Sequence, residues 1–313
     1  TFHVYVWTFC PSKSPVTVFR PSLLGHMNLI PSFEAFVDLS RTAAVIPVRA
    51  EFLFDTETAV TAYRKLVRPP FGFLLESVVG GEKWARYTFL GTEPSAAWRL
   101  QGREVSWWTP EGGWAPVDVE DPLADLDQRL RDRAAPQIDG LPRFWGGAVG
   151  YFGYDLVRQI ERLPELAERD LELPEVIVVF TDVVLAIDNL LGRAMAIRAV
   201  PVEPGLSEEE LRFRYRATAE KIEELVERLG SEEGPSALSL KAEPPADPPF
   251  ESTMTREEYE TAVTRIQEYI LEGDAFQVVL SQRLSMNLGG SPFDLYRALR
   301  SLNPSPYLYF MEL

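Results

Sequence analysis

Glu76 is the residue whose surroundings first suggest chemistry, because it interrupts the apolar run Phe71-Gly-Phe-Leu-Leu-Glu-Ser-Val-Val. The run is typical of a strand, in which Leu75 and Ser77 share one face and Glu76 points to the other. A carboxylate that is buried there needs a hydrogen-bonding or charged partner. The residues alone leave two interpretations open: a paired carboxylate in the core, or part of a binding site.

Imidazole and thiol groups are confined to the start of the chain. The histidines are His3 and His26, and the single cysteine is Cys10. From Met27 onward the sequence therefore excludes Ser–His and Cys–His nucleophiles and metal sites built from imidazole or thiolate. A metal there would be a hard, oxygen-ligated ion such as magnesium. One cysteine also excludes an intramolecular disulfide and fits a reducing compartment.

The composition is that of a globular protein without a nucleic-acid or membrane partner. The 313 residues are 46% hydrophobic and 25% charged, which predicts about two domains and a large core. The net charge of −16 argues against nucleic-acid binding, since such proteins need a basic surface for the phosphates. No apolar run approaches the roughly 20 residues that a membrane-spanning helix requires.

A glycine cluster in residues 144–164, FWGGAVGYFGYDLVRQIERLP, could be read as a nucleotide-binding loop. That interpretation requires a parallel βαβ unit and an acidic residue about 20 positions further on. The flanking patterns indicate antiparallel strands instead. We therefore interpret Gly146, Gly147, Gly150 and Gly153 as positions at which strands approach each other closely.

The last part of the chain predicts a helix followed by a strand. Thr255 and Glu258 form a capping box, and apolar residues at helical spacing follow until Gly273. From Ala275 the apolar period becomes two, which predicts a strand with Phe276 on its apolar face.

A second helix and strand close the sequence. Ser291 and Pro292 start the helix, and Asn303-Pro304-Ser305-Pro306 ends it. Residues 307–313 are then predicted to form a strand.

Further strands and helices are predicted upstream of residue 230. The predicted strands are residues 45–54, 71–79, 84–90, 96–100, 104–109, 175–187 and 194–200, the last two forming a hairpin about Asn189–Gly192. The predicted helices are residues 32–40, residues 55–67 capped by Asp55, a helix from Asp121, and residues 207–230 with a Ser207–Glu210 capping box.

Composition shifts divide the chain into four parts. Residues 1–26 lack the order of a secretory signal, and we expect them to be a non-native or disordered leader before Met27, with a genuine edge strand as the alternative. Residues 230–251 hold five prolines, which predicts a linker. The chain would then comprise a leader, an N-terminal domain at 27–229, the linker, and the start of a second domain at 252–313.

Four stretches resemble the anthranilate synthase component I family. GDAFQVVLSQR (residues 273–283) and NPSPYLYF (303–310) are similar to the start of its chorismate-binding domain, and LLES (74–77) and FWGGAVGYFGYD (144–155) to its N-terminal domain. The resemblance extends over residues 27–313. Val279 favours this family over aminodeoxychorismate synthase component I, which usually has a polar residue there and is kept as an alternative.

The resemblance implies an α+β fold, in which packed, mostly antiparallel β-sheets form a β-sandwich flanked by helices. It also implies a feedback site for L-tryptophan, made by the LLES and NPSPY segments. An indole fits an apolar slot, and its ammonium and carboxylate need a few placed polar groups. Carried over onto this sequence, the site residues are Leu75, Glu76, Ser77, Arg86, Pro306, Tyr307 and Leu308.

The reaction implied is that of a cytoplasmic lyase: chorismate and ammonia give anthranilate and pyruvate, the first step of L-tryptophan biosynthesis. Ammonia would come from glutamine through a glutamine amidotransferase partner, and Mg²⁺ would be the cofactor. The family's magnesium-binding glutamates and its histidine match no residue of this chain. We therefore expect the catalytic and metal residues to lie beyond Leu313, and the chain to be an inactive fragment. A tryptophan-binding regulatory module without catalysis is the alternative from a different class.

Overall fold

The computed structural model describes residues 27–77, 86–133, 135, 138–164, 171–231, 234–238 and 249–313. The predicted leader at 1–26, the end of the strand predicted at 71–79 and most of the predicted linker lie outside these ranges. The domain boundary within residues 230–251 therefore stays a prediction.

An antiparallel sheet of seven strands forms the centre of the molecule. Its strand order is β1-β2-β11-β10-β4-β3-β14. The strands are β1 (Leu29–Ile30), β2 (Val45–Leu53), β3 (Gly72–Glu76), β4 (Tyr87–Thr92), β10 (Val183–Asp188), β11 (Arg193–Pro201) and β14 (Leu308–Glu312). Strand β14, from the far end of the sequence, thus pairs with β3, so the two predicted domains share one sheet.

A second antiparallel sheet packs on one face of the first. Its strand order is β7-β6-β5-β9-β8. The strands are β5 (Ala96–Gln101), β6 (Glu104–Thr109), β7 (Gly113–Val117), β8 (Gly147–Phe152) and β9 (Val176–Thr181). Phe71 and Phe73 from the first sheet pack between the sheets against Ala97, Val149 and Val179 of the second. The predicted α+β fold with a β-sandwich is confirmed.

Helices cover the other face of the larger sheet. They are α1 (Phe33–Leu39), α2 (Ala59–Leu66), α4 (Glu208–Leu229) and α6 (Pro292–Leu302). Phe36, Leu66, Leu225 and Phe293 carry these helices into one apolar core with Leu74 of β3. The smaller sheet is covered by α3 (Pro122–Arg131), where Leu126 packs in a core with the fully buried Trp98.

The remaining elements are a 3₁₀ helix (Tyr154–Gln159), helix α5 (Arg256–Glu272) and the strand pair β12 (Glu251–Ser252) and β13 (Leu284–Ser285).

Local helix signals are confirmed at most positions. Both predicted capping boxes are present, at Ser207 for α4 and at Thr255 for α5. The predicted cap at Asp55 is wrong, because the N-cap of α2 is Thr58, three residues later. The Thr58 hydroxyl accepts from the Thr61 amide and the Thr61 hydroxyl accepts from the Thr58 amide, so this pair satisfies two of the amides left free at the start of the helix.

The strand predicted from Ala275 is wrong. Residues 275–283 have no regular secondary structure, and the Phe276 side chain is 94% exposed. Alternation of apolar residues sets which way side chains face, but a strand also needs a second strand to pair with its backbone. Within the described ranges only β12 provides one, and it pairs at β13.

The strand predicted at residues 175–187 is two strands in different sheets. Strand β9 ends at Thr181 and β10 begins at Val183, so the chain passes from one sheet to the other through Asp182 alone. Both strands are buried on both faces, so neither shows the alternation of apolar and polar residues that would separate it from the other in the sequence. Strands β4 and β5 are joined through residues 93–95 at the same corner, where the chain crosses between the sheets in the opposite direction.

The glycine cluster is part of an antiparallel strand, as predicted. Strand β8 pairs antiparallel with β9 over residues 147–152. A Cβ added to Gly150 would lie 1.9 Å from the Ile177 carbonyl oxygen. Glycine is therefore required at this position because two backbones approach each other closely.

Candidate functional site

One end of the larger sheet brings together most of the residues that the sequence singled out. Glu76 ends β3 and is paired with Leu308, which begins β14. On the other side of β3, strand β4 begins at Tyr87, which is paired with Asp188 at the end of β10. Strand β3, which contains most of LLES, therefore lies between β14, which follows NPSP, and β4, which Arg86 directly precedes.

The predicted site residues differ in their burial. Glu76 is buried, and Leu75, Ser77 and Leu308 are half-buried, whereas Pro306 and Tyr307 are exposed. Leu75 faces the second sheet and Glu76 faces the helices, because successive side chains of a strand alternate. The segments are neighbours, but these two side chains lie on opposite faces of the sheet.

Glu76 is held by two residues of α6. The Tyr296 hydroxyl donates to Oε2 at 2.6 Å, and the Arg300 Nη2 donates to Oε1 at 2.9 Å. The Arg300 Nε also lies 2.9 Å from Oε2, and the Glu76 side chain is only 3% exposed. The carboxylate therefore has the partners that its burial requires.

Tyr296 and Arg300 were not identified from the sequence. They are four residues apart in a helix, a spacing that places two side chains on the same face, and this is the signal by which they could have been found. Burial raises the pKa of the Tyr296 hydroxyl, and the charge of Glu76 raises it further. Tyr296 therefore remains a protonated hydrogen-bond donor throughout the neutral range.

Arg86 lies beside Asp188 rather than beside Glu76. Its Nε and Nη2 donate to the Asp188 Oδ2 at 3.0 and 2.6 Å. Burial alone would raise the pKa of the Asp188 carboxyl, but Arg86 and the backbone amides of Leu190 and Leu191 outweigh it and hold that pKa below its usual range. The Arg86 side chain is still 39% exposed, so one side of the guanidinium faces solvent.

An apolar crevice of about 590 Å³ opens between the two sheets next to Leu75. Its other walls come from β14, β8, β9 and α3. The lining residues include Leu130, Phe144, Tyr151, Val178, Tyr309 and Met311. A space of this size and apolar character suits an aromatic ring.

A second cavity of about 480 Å³ lies at the opposite end of the larger sheet, where β2 begins and β11 ends. It is lined by Val45, Arg133, Trp145, Asp182 and Pro201, among others. It contains none of the predicted site residues.

The described residues contain neither a metal-binding cluster nor a helix that could span a membrane. No three His, Cys, Asp or Glu side chains of the described residues form a group that could hold a metal ion. The described residues thus offer no ligand set that fits Mg²⁺, which prefers several oxygen ligands. Every helix that the structure describes is too short or too polar to cross a lipid bilayer.

The chain is similar to known proteins over most of its length. A family model described as "chorismate binding enzyme" matches residues 77–313. Anthranilate synthase component 1 of Pseudomonas putida is 44% identical over 87% of this chain and 55% of its own length. The protein of the same name from Pseudomonas aeruginosa is 43% identical over 85% of this chain and 54% of its own length.

A solved structure has the same fold. Anthranilate synthase component I from Streptococcus pneumoniae matches with a TM-score of 0.52 and 24% identity, over 81% of this chain and 53% of that one. At this identity the likeness supports the fold alone. The chain spans about half the length of the curated relatives that it matches.

Proposed function

The chain belongs to the chorismate binding enzyme family, and from that premise we propose that it is part of an anthranilate synthase component I. The observation that carries this proposal is the 44% identity, over 87% of the chain, to a protein of that name. The reaction would convert chorismate and ammonia to anthranilate, pyruvate and water. It would be the first step of L-tryptophan biosynthesis and would take place in the cytoplasm.

The ammonia would come from glutamine, through a glutamine amidotransferase subunit. The relatives are named component 1, which supports a second component in those proteins. The proposed cofactor is Mg²⁺, with its ligands in sequence beyond Leu313. We assign no step of the reaction to the residues that the structure describes.

The proposed regulatory ligand is L-tryptophan, bound where β3 and β14 meet. Three observations support this site. The pairing of Glu76 with Leu308 joins the two predicted segments; the crevice beside Leu75 is apolar and large enough for an indole; and the half-exposed Arg86 offers a positive charge within the same sheet end. Leu75, Glu76, Ser77, Arg86, Pro306, Tyr307 and Leu308 are the proposed residues.

A tryptophan-binding module without catalysis is the second candidate function. It is favoured by the apolar crevice and the charged groups at this sheet end, which could bind an amino acid whether or not the chain takes part in catalysis. Aminodeoxychorismate synthase component I is a weaker alternative, since the relatives compared above are named anthranilate synthase.

Two measurements test the proposal. Sequencing the source DNA past the Leu313 codon should show an open frame that continues into a domain with glutamates and a histidine. The protein made from that longer frame, given chorismate, ammonia and Mg²⁺, should produce the fluorescence of anthranilate. A stop codon directly after Leu313 would exclude catalysis by this gene product and favour the regulatory module.

Isothermal titration of the 313-residue chain tests the regulatory site separately. L-Tryptophan should bind with one site per chain, whereas D-tryptophan and L-phenylalanine should bind far more weakly. Equal binding of the two tryptophan enantiomers would show that the ammonium and carboxylate are not recognised, and would refute the site.

A further inference from the structure

We infer that Glu76 is a positioning residue, which acts on the proposed amino-acid site through Arg300 and Tyr296 rather than by contact with the ligand. The inference rests on the proposed function, because it concerns how that same site is held together. It adds Arg300 and Tyr296 of α6 to the functional unit and gives Glu76 a specific role.

Both oxygens of the Glu76 carboxylate already have partners in α6. Oε1 accepts from Arg300, and Oε2 accepts from Tyr296 and faces the Arg300 Nε. Because the Glu76 side chain is only 3% exposed, a ligand ammonium could reach the carboxylate only if the guanidinium moved away. Removing one partner of a buried charge pair is strongly unfavourable, because the other charge is left without compensation.

Helix α6 packs on the larger sheet mainly through its N-terminal half. Its buried residues are Phe293 and Tyr296, which pack in an aromatic cluster with Tyr63 and Phe310. Phe293 anchors the first turn of the helix. Past Tyr296 the apolar side chains are exposed, with Leu299 50% and Leu302 75% accessible. The C-terminal turn of α6 is thus held to the sheet mainly through Arg300 and Glu76.

A short connection follows α6 and leads into β14. Residues 301–307 join Arg300 to Leu308 and include Pro306 and Tyr307. Arg300 binds Glu76 through its side chain, and Leu308 is paired with Glu76 in the sheet. A single residue of β3 therefore fixes both ends of the connection. If Glu76 loses Arg300, the connection is held at one end only and the site loses its geometry.

The test compares two ligands on five variants of the 313-residue chain. Calorimetry would measure the binding of L-tryptophan and of indole-3-propionate, which lacks the ammonium, to the wild type, to E76Q, R300Q, R300K and R297Q, and to the double variant E76Q/R300Q. Arg297 is the matched control, since it lies one turn earlier in α6 and contacts Asp294 and the Ser236 carbonyl rather than the larger sheet. Thermal unfolding of each variant would confirm that it is folded at the titration temperature.

If Glu76 acts through α6, E76Q and R300Q should each weaken L-tryptophan binding by about tenfold or more. Each should weaken indole-3-propionate by the same factor, and the double variant should be no worse than either single one. R300K should recover part of the affinity because lysine keeps the charge but not the forked geometry. R297Q should bind like the wild type.

The opposite pattern would overturn the inference. If Glu76 contacts the ammonium, E76Q weakens L-tryptophan alone, and R300Q leaves its affinity unchanged or raises it by freeing the carboxylate. If the wild type binds L-tryptophan but not indole-3-propionate, the effect of R300Q on the affinity for L-tryptophan distinguishes positioning through α6 from direct contact with the ammonium.

Amide hydrogen exchange without ligand separates this inference from the proposed function. E76Q and R300Q should speed exchange in the last turn of α6 and in residues 303–308, and R297Q should not. Unchanged exchange in E76Q and R300Q would refute the positioning role even if L-tryptophan binds. Faster exchange in these variants, in a chain that binds no L-tryptophan, would support the contact between Glu76 and Arg300 but would refute L-tryptophan as the ligand.

Discussion

Glu76 and Arg300 lie 224 residues apart in the sequence, yet the Arg300 Nη2 lies 2.9 Å from the Glu76 Oε1. The contact joins the end of a central strand to a helix that precedes the edge strand of the same sheet. Because Glu76 is buried, loss of any one of its partners should lower the free energy of unfolding. Single substitutions can therefore test the contact.

The first prediction concerns the hydroxyl of Tyr296. Tyr296→Phe should lower the free energy of unfolding by about 1–3 kcal/mol, since it removes a hydrogen bond to a buried charged group. Urea denaturation followed by fluorescence would measure the change. Tyr309→Phe is the control, because Tyr309 is 66% exposed. Equal midpoints for the two variants would contradict a stabilising role for the Tyr296–Glu76 bond.

The second prediction concerns the pH dependence of the Arg86–Asp188 ion pair. The pKa of Asp188 is lowered in the folded protein, so the pair stabilises the fold above the unfolded-state pKa of about 3.9. That contribution is lost as the pH falls through the lower folded-state pKa. Asp188→Asn should therefore melt below the wild type near neutral pH, and the difference should shrink below about pH 4.

The control for this pH series is Asp127→Asn. Asp127 pairs with Arg131 on the surface, with the two side chains 58% and 73% exposed, and such pairs contribute little. A D188N difference that persists unchanged into acid would show that the loss is steric rather than electrostatic.

The third prediction concerns Gly150. Gly150→Ala should destabilise the smaller sheet by about 3 kcal/mol or more, or prevent folding, because the new methyl would meet backbone atoms of Ile177 and Val178. Gly290→Ala, where nothing lies within 4 Å, is the control. Thermal unfolding by circular dichroism would distinguish them, and similar melting temperatures would mean that β8 and β9 are further apart than the structure shows.

The fourth prediction concerns Arg86 as the partner of a ligand carboxylate. Arg86→Gln should weaken L-tryptophan binding by about tenfold but leave tryptamine, which lacks the carboxylate, unaffected. Calorimetry with the two ligands measures this directly. A loss of the same size for both would assign Arg86 a structural role with Asp188.

The fifth prediction concerns catalysis by the 313-residue chain. Because the proposed magnesium ligands and the proposed catalytic histidine lie outside the 313 residues, the purified chain should produce no anthranilate from chorismate, ammonia and Mg²⁺. Fluorescence of anthranilate is the measurement. Turnover that resists further purification would show that the chain holds a catalytic site which neither the sequence nor the described residues indicate.

Much of the fold could be predicted because its signals are local. The capping boxes at Ser207 and Thr255 involve side chains and amides three residues apart, and they define their helices without help from the rest of the chain. The family resemblance predicts that the LLES and NPSPY segments contribute to one site, and in the fold Glu76 is paired with Leu308.

The parts that could not be predicted depend on contacts distant in sequence. The period of two after Ala275 does not reveal whether a partner strand exists, and the run around Asp182 does not reveal that it serves two sheets. Likewise, nothing near Glu76 names its partners, since Tyr296 and Arg300 come into reach only when α6 packs on the larger sheet. Whether the predicted residues bind L-tryptophan stays a prediction.

The corner at which both crossovers pass between the sheets has a mechanical consequence. Asp182 and residues 93–95 fix the separation of the two sheets there through the chain itself. Leu75 and Val178 lie on opposite walls of the crevice, in strands of different sheets. Away from the corner, side-chain packing such as that of Phe73 against Ala97 and Val149 holds the two walls at their distance, so the width of the crevice depends on the volume of those side chains.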